Sequence, residues 1–303
     1  MRILVTGGTG FIGRHLVNRL LHLGHEITVL SRKPNKVKQL FNTRVSAWTS
    51  LTTWQPDIHF DAVINLAGEP IIDKAWTPQR KRVLEDSRIG ITQQLVSAMT
   101  QARVRPKVFL SGSAIGIYGN TEQRGCTEAS QLGTDYAATL CQRWEAAALL
   151  AEALGIRVCL LRTGLVLHRD GGLLKKMWLP FKLGLGSRLG NGQQIMSWIQ
   201  LTDYLNAVIF LLQHPTSHGA FNLTAPHPVS NEIFTQILAQ SLHRKAWLVT
   251  PEWLLKPILK ERSILLFGGQ QVLPQQLTTQ GFEFTLPTLE SALQQTQKSD
   301  VMP

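Results

Sequence analysis

The amino-acid sequence predicts an α/β fold, with a doubly wound parallel sheet covered by helices and a smaller C-terminal α+β domain. Short apolar runs typical of buried strands alternate with longer segments of helical periodicity through the first half of the chain. Glycines separate the two kinds of segment and favour turns between them. With 303 residues, 44% of them apolar, the chain is long enough to bury a full core.

The predicted elements follow one another closely along the chain. The predicted strands cover residues 3–5, 27–30, 62–67, 107–111 and 157–162. The predicted helices cover residues 11–21, 87–102 and 136–154. Gly24 and Gly155 follow helical segments at positions that favour a helix end. Because the strands of such a sheet run parallel, we expect a ligand to bind at their carboxyl ends.

The pattern loosens after residue 164, where closely spaced glycines indicate loops. Residues 197–199 read as a short strand and residues 205–212 as a helix. We therefore expect residues 1–165 to form the sheet domain, together with a short return segment near 195–212. Residues 166–303 would form the smaller domain, on the side where a substrate binds.

Composition and charge exclude several classes of protein. The formal net charge is +11, but the basic residues are scattered and form no aromatic and basic strip, so we expect no nucleic-acid partner. No uninterrupted apolar stretch approaches the roughly 18 residues of a membrane span, so we expect no membrane partner. The chain begins without a recognisable signal peptide, which favours a cytoplasmic location. The three cysteines and nine histidines show no metal-ligand spacing, and we expect no metal site.

A glycine-rich turn between the first strand and the first helix is the strongest functional signal. Gly7, Gly10 and Gly13 are spaced three residues apart in the segment 6–13. Such a turn lets a dinucleotide pyrophosphate approach the backbone, where the first amides and the helix dipole bind its negative charge. The sequence therefore predicts a Rossmann-like dinucleotide site. The predicted contacts come from Gly7, Thr9, Gly10, Phe11, Ile12 and Gly13.

The residues after the second strand indicate which dinucleotide binds. NAD-specific sites carry an acidic residue there to bind the free 2′-hydroxyl. This chain has Ser31, Arg32 and Lys33 instead. Arg32 can pair with a 2′-phosphate through two hydrogen bonds and Lys33 adds charge, so we predict NADP(H) as the cofactor. The alternative is a solvated basic turn.

Several motifs together resemble the extended branch of the short-chain dehydrogenase/reductase superfamily. The glycine-rich turn is similar to its cofactor signature, and residues 65–68 (Asn-Leu-Ala-Gly) to its motif after the fourth strand. Residues 111–119 resemble its serine-bearing strand end. Residues 197–199 with Asp203 resemble the motif that returns the C-terminal domain to the core.

A closer resemblance, over nearly the whole chain, is to the sugar-nucleotide-epimerase-like proteins of the YfcH type. It rests on residues 76–77, 80–81, 87–88, 144–145 and 221–226, and on the tail segments 271–274, 281–282 and 287–290. By this resemblance, and with Gly68 of the motif named above, further residues would line the NADP site. They are Arg32, Lys33, Leu66, Ala67, Gly68, Arg88 and Leu165.

The catalytic pattern of the superfamily is incomplete in this sequence. The resemblance implies a tyrosine that transfers a proton, a lysine four residues later and a serine that binds the substrate oxygen. Ser113 is the candidate serine, with Ser111 as a second, and Tyr136 is the candidate tyrosine. Leu140 stands where the lysine belongs, so Tyr136 lacks the usual cation. The alternatives are structural roles for Ser113 and Tyr136.

Two functions remain open on this basis. The first is an NADP(H)-dependent oxidoreductase or epimerase for a small hydroxyl or carbonyl substrate, including nucleotide-linked ones. The second is a non-catalytic NADP(H)-sensing regulatory or scaffold protein, which Leu140 favours. Some proteins of the resembled group are linked to cell or organelle division, and the resemblance permits such a role. A homodimer is compatible with either function.

Overall fold

The computed structural model describes residues 1–122 and 124–298 of the chain. A seven-stranded parallel sheet forms its centre. Its strands are β1 (Arg2–Thr6), β2 (Glu26–Leu30), β3 (Val45–Trp48), β4 (Ala62–Asn65), β5 (Val108–Ala114), β6 (Arg157–Thr163) and β7 (Gly219–Leu223). Their spatial order is β7-β6-β5-β4-β1-β2-β3. This order confirms the predicted Rossmann-like fold, and the chain reverses direction across the sheet between β1 and β4.

Helices cover both faces of the sheet, as the fold class requires. The α-helices are α1 (Phe11–His22), α2 (Pro34–Phe41), α3 (Pro78–Glu85), α4 (Ile91–Gln101), α5 (Tyr136–Leu149), α6 (Gly172–Lys182), α7 (Leu201–Gln213), α8 (Asn231–Ser241), α9 (Glu252–Leu259), α10 (Ile264–Phe267), α11 (Gln275–Thr279) and α12 (Leu289–Lys298). Alternate residues of β1 point to opposite faces, since Ile3 and Val5 pack against α1, α2 and α7 while Leu4 packs against α4. Among the described residues, no helix combines the length and the apolar character needed to cross a membrane.

The two helix boundaries around residues 86 and 150 differ from the prediction. Residues 87–102 were expected to form one helix, but a π-turn (Asp86–Gly90) joins α3 to α4. The helix predicted over 136–154 is α-helical over Tyr136–Leu149 and continues as a 3₁₀ helix (Leu150–Leu154), which Gly155 ends with a left-handed φ of 76°. Apolar periodicity over a few residues does not distinguish α-, π- and 3₁₀-helical turns, because they differ only in which residues their backbone hydrogen bonds join.

The second half of the chain forms its own apolar cluster and also completes the central sheet. Leu174, Trp198 and Phe234 belong to this cluster. The short strand Trp198–Gln200 pairs with Leu165–Leu167 in parallel. β7, which the sequence analysis did not predict, pairs with β6. The domain boundary at residue 165 stays a prediction.

Candidate functional site

The glycine-rich turn has the conformation that only glycine supplies without strain. Gly7 has a φ of +69°, and a Cβ atom there would lie 2.4 Å from the Leu66 carbonyl oxygen. A Cβ atom at Gly13 would lie 2.2 Å from the Gly7 carbonyl oxygen, so α1 packs directly on the turn. Gly10 caps α1 without a side-chain hydrogen bond, and the first turn of α1 carries no acidic residue. The first amides of α1 and its dipole are therefore available to an anion.

A cleft of about 390 Å³ opens at this turn, at the carboxyl edge of the sheet. Several residues predicted to bind the cofactor line it: Gly7, Gly10, Phe11, Ile12, Gly13, Leu66 and Gly68. Ser113 of β5 lines it too. The predicted cofactor residues Thr9, Ala67, Arg88 and Leu165 lie outside this lining, and Arg32 and Lys33 follow β2 at one side of it. The structure thus brings the glycine turn and Ser113 to one cavity.

Buried hydrogen bonds hold the loop after β4 against the glycine-rich turn. Thr6 Oγ1 donates to Asn65 Oδ1 over 2.5 Å. Asn65 Nδ2 donates to Thr92 Oγ1 over 2.8 Å, and the Ala67 amide donates back to Asn65 Oδ1 over 3.3 Å. These bonds link the ends of β1 and β4 to α4, and so fix the place of Leu66 in the cleft wall.

Arg32 contacts a carboxylate that the sequence analysis did not assign. Its Nη2 lies 3.0 Å from Glu69 Oε1, and Arg80 Nη1 lies 3.5 Å from the other oxygen of the same carboxylate. The hydrogen bond from Arg32 lowers the pKa of Glu69 below its ordinary value. Lys33 is exposed, and its amide donates to the Ser31 hydroxyl over 3.1 Å. Glu69 is therefore a local counterion for the arginine predicted to bind the 2′-phosphate.

Ser113 belongs to a buried polar network. Its hydroxyl donates to Glu145 Oε1 over 2.6 Å. Glu145 accepts two bonds from Arg162, both of 2.9 Å, and Arg162 Nη1 also donates to Tyr118 Oη over 2.9 Å. Tyr118 in turn donates to Asn222 Oδ1 over 2.7 Å. Burial raises the pKa of Tyr118 to about 12 despite the nearby Arg162, so this phenol stays protonated at neutral pH.

The bonds of Glu145 decide the polarity of Ser113. Both carboxylate oxygens of Glu145 accept a hydrogen bond from the Arg162 guanidinium, which has only donors. Ser113 uses its single hydroxyl hydrogen in the bond that it donates to that carboxylate. The lone pairs of the Ser113 oxygen remain available as acceptors in the cleft. Ser113 can therefore accept a hydrogen bond from a ligand, whereas donation to a ligand would require breaking the bond to Glu145.

Tyr136 lies at the start of α5 but outside the cleft lining. Its hydroxyl donates to the Lys81 carbonyl over 3.3 Å, and its ring packs against Trp76 with centroids 5.0 Å apart. Burial, with a smaller contribution from Glu85, raises its pKa to about 12. Leu140, one turn later, is 2% exposed and adds no charge. As placed here, Tyr136 stays a protonated phenol at neutral pH, and its hydroxyl is engaged.

Two further polar side chains in the cleft were not assigned from sequence. Thr163 ends β6 and Tyr204 lies on α7, and their hydroxyl oxygens are 3.1 Å apart. Burial raises the pKa of Tyr204 to about 12. Tyr204 is far from the glycine turn in sequence, and no local motif marks it.

A cluster of metal-ligating groups lies beside the first helix. His15, His168 and Asp170 place their ligand atoms within 4.8 Å of one another. Arg14 Nη2 lies 3.1 Å from the Asp170 carboxylate, and the Asp170 amide donates to His168 Nδ1 over 3.2 Å. Burial, assisted by His168, lowers the pKa of His15 to about 4. The carboxylate and one imidazole nitrogen are therefore already engaged within the protein.

Two family models match most of the chain. Residues 3–224 match the model of the NAD dependent epimerase/dehydratase family. Residues 250–296 match a second model, described only as a domain of unknown function (DUF1731). The first match contains the glycine turn, the loop after β4, Ser113 and the Glu145–Arg162 pair.

Relatives extend the similarity to nearly the whole chain. The "Epimerase family protein SDR39U1 homolog, chloroplastic" of Arabidopsis thaliana is 39% identical over 97% of this chain and 86% of its own length. The epimerase family protein YfhF of Bacillus subtilis is 35% identical over 97% of each chain. The crystal structure of human SDR39U1 (isoform 2) with NADPH is 33% identical, has a TM-score of 0.90 and covers 98% of this chain and 99% of that one. The chain therefore belongs to the NAD dependent epimerase/dehydratase family.

Proposed function

We propose that the cleft binds NADP(H) and that the chain is an oxidoreductase or epimerase for a small hydroxyl or carbonyl substrate, including nucleotide-linked ones. The observation that carries the proposal is the glycine turn, which presents uncapped helix amides to the cleft. The human relative was crystallised with NADPH, which favours the phosphorylated cofactor. Bound there, the nicotinamide would supply the hydride chemistry.

Different residues of the chain would hold the two halves of the cofactor, on opposite sides of the cleft. The amides that open α1 would hold the pyrophosphate, and Arg32 with Lys33 would hold the 2′-phosphate beyond β2. The nicotinamide half would then extend over β4 and β5, where Ser113 lines the wall. Because Ser113 accepts rather than donates, it suits the hydroxyl of an alcohol substrate better than a carbonyl oxygen.

A non-catalytic NADP(H)-sensing or scaffold role is the second candidate, and the engaged hydroxyl of Tyr136 favours it. The two functions predict different results. An enzyme would oxidise NADPH with members of a carbonyl panel or interconvert sugar nucleotides. A sensor would show neither reaction, and the set of proteins that it captures in a pull-down would change when NADPH is added.

The first prediction concerns the cofactor. We expect purified protein to bind NADPH at least about tenfold more tightly than NADH, because a bidentate arginine–phosphate pair adds charge-assisted hydrogen bonds. Arg32→Ala should remove most of this preference. Titration calorimetry with both cofactors measures it. Equal dissociation constants for NADPH and NADH, or unchanged NADPH binding in the variant, would contradict the assignment of Arg32.

The second prediction concerns Glu69, whose carboxylate lies 3.0 Å from Arg32. Glu69→Gln should tighten NADPH binding by about two- to threefold, because an exposed ion pair is worth little and its loss frees Arg32 for the phosphate. NADH binding should not tighten. Weaker NADPH binding in the variant would show that Glu69 contacts the cofactor instead.

Four further properties of this protein stay predictions: membership in the YfcH-type group, a cytoplasmic location, a homodimer and the absence of a nucleic-acid partner. The relatives that match over almost the full chain are described as an SDR39U1 homolog and as YfhF. One of those relatives is described as chloroplastic.

A further inference from the structure

The most exposed large apolar side chains are concentrated in the second half of the chain. Among the residues that the structure describes, six such side chains are at least 60% exposed to solvent. All six lie in two short segments, 179–185 and 247–258: Leu179, Leu183, Leu185, Trp247, Trp253 and Ile258. A single exposed leucine is ordinary, but a concentration of large apolar side chains that includes two tryptophans marks a binding surface.

These two segments lie side by side in the fold, and together we call them the apolar face. The strand Ser187–Leu189, which follows the first segment, pairs in parallel with the strand Leu248–Thr250 of the second. Arg244 Nε donates to the Lys182 carbonyl over 3.0 Å, which ties the end of α6 to the chain that leads into the second segment. The exposed side chains therefore belong to one region of the surface.

Helix α9 forms part of the apolar face, and none of its residues is buried. Trp253, Leu254, Pro257 and Ile258 are all exposed, and their spacing places them on one side of the helix. The other two leucines of α9 are half-buried on the opposite side. A helix that turns tryptophan, leucine and isoleucine toward solvent is typical of a helix that lies in the surface of a bilayer.

Basic residues dominate the sequence around the apolar face. Residues 172–189 contain four lysines and arginines and no acidic residue. Residues 242–260 contain four more and a single acidic residue, Glu252. Glu252 is paired with Lys256 at 2.6 Å, so it does not balance the other basic residues. The charge therefore favours a negatively charged partner.

A cavity beside Trp247 brings this charge next to the apolar surface. Its volume is about 280 Å³, and Arg244, Lys245 and Trp247 line it together with residues of α8. The Lys245 ammonium lies 5.2 Å from the ring centroid of Trp247. Two cations and an indole ring at one opening suit the phosphate headgroup of a lipid, because indole rings prefer the headgroup level of a membrane and anionic lipids attract lysine and arginine.

A second copy of the chain fits the apolar face less well. Most homodimers have a twofold axis, which places the same patch of each subunit against itself. Such a contact would bring the unbalanced basic residues of both copies together, and like charges that meet across an interface weaken it. An anionic membrane has no such conflict, since its headgroups attract the basic residues while its acyl chains take up the apolar ones.

We propose that the apolar face binds the surface of an anionic membrane, with α9 lying in the headgroup region and Trp247 and Trp253 as anchors. This binding does not depend on the NADP(H) function proposed for the cleft. The expectation of no membrane partner came from the lack of a spanning stretch in the sequence, and a helix that lies on a membrane does not need one.

Co-sedimentation of the full chain with lipid vesicles tests the proposal. One set of vesicles is pure phosphatidylcholine, and the other contains phosphatidylglycerol as well. We expect the wild-type protein to bind the anionic vesicles at least about tenfold more tightly than the neutral ones, because each lysine or arginine near the surface adds to the attraction. Binding to the anionic vesicles should weaken as the salt concentration rises.

A pair of double variants tests the apolar anchors. Trp247→Ser with Trp253→Ser should weaken binding to anionic vesicles about tenfold or more, since both indole rings leave the interface. Val104→Ser with Leu150→Ser is the matched control, because these residues are 52% and 59% exposed but lie outside the face, and its vesicle binding should equal that of wild type. Both double variants should keep the wild-type melting temperature, since exposed side chains contribute little to stability.

A second pair of double variants tests whether local or overall charge attracts the protein. Lys182→Gln with Lys245→Gln should weaken binding to anionic vesicles several-fold. Lys36→Gln with Lys38→Gln changes the net charge equally on α2, where both lysines are exposed, and it should bind like wild type.

Several results would overturn the proposal. Folded wild-type protein that does not bind anionic vesicles, or that binds neutral vesicles equally well, has no anionic membrane as its partner. Equal vesicle binding by the tryptophan variant and its control would place the contact elsewhere on the chain. If sedimentation equilibrium shows a wild-type dimer that the tryptophan variant converts to monomers, and no vesicles are bound, the face is an interface between two copies instead.

Discussion

Gly10→Val is expected to weaken NADPH binding by on the order of 100-fold or more, because its side chain would stand where the pyrophosphate meets the first amides of α1. The fold should tolerate the change. Gly10 has a φ of −77°, which any residue adopts, and it is exposed. A Cβ atom there meets only the Gly7 carbonyl oxygen, at 3.1 Å. The remaining cost is an unfavourable helix cap of about 1 kcal/mol.

A second glycine gives the matched control for this experiment. Gly125 is exposed, and the nearest atom to a Cβ atom there is 4.0 Å away. Gly125→Val should bind NADPH like wild type. Fluorescence titration gives the dissociation constants, and thermal unfolding shows whether both variants are folded. A folded Gly10→Val protein with wild-type NADPH affinity would remove the structural basis of the proposed site.

Glu145→Ala is expected to lower the free energy of unfolding by about 3–5 kcal/mol, the usual cost of leaving one partner of a buried ion pair alone. The side chains of Glu145 and Arg162 are 8% and 7% exposed, so water cannot replace the lost carboxylate. The variant also frees the Ser113 hydroxyl, whose proton could then turn toward the cleft. Denaturant unfolding at equilibrium measures the stability change.

A less buried pair of the same chemistry serves as the control. Arg188 and Glu232 are 2.8 Å apart with side chains 31% and 35% exposed. Glu232→Ala should cost less than about 1 kcal/mol, because solvent screens such a pair. The double variant Glu145→Leu, Arg162→Met should lose less than the two single changes together, since both charges leave the interior. A loss of under about 1 kcal/mol in Glu145→Ala would show that the network is not tightly coupled.

Much of the fold could be predicted from local sequence. The strand–glycine–helix unit of residues 2–22 is contiguous, and Gly7 and Gly13 answer backbone constraints within the unit or in the adjoining loop. A motif of this kind can be read from the chain alone because strand, turn and phosphate site are neighbours in sequence. For the same reason, the alternation of strands and helices predicted the parallel sheet.

Side chains that meet across the fold could not be predicted in this way. Glu69 reaches Arg32 from a loop 37 residues later, and Tyr204 meets Thr163 from α7. The π-turn that carries Arg88 leaves no mark in periodicity, since it adds one residue to an otherwise helical segment. Tyr136 was placed correctly on its helix, but its hydroxyl bonds to the Lys81 carbonyl, which only packing decides.

By itself, the sequence determined the dinucleotide-binding type of fold, because backbone conformation and apolar periodicity are local properties. Only the tertiary structure decided which charged side chains meet around the cleft. Whether Glu145 pairs with Arg162, and whether Glu69 pairs with Arg32, depends on distances between elements far apart in the chain. The electrostatic energy depends on those distances and on the exclusion of water, and neither can be read from local sequence.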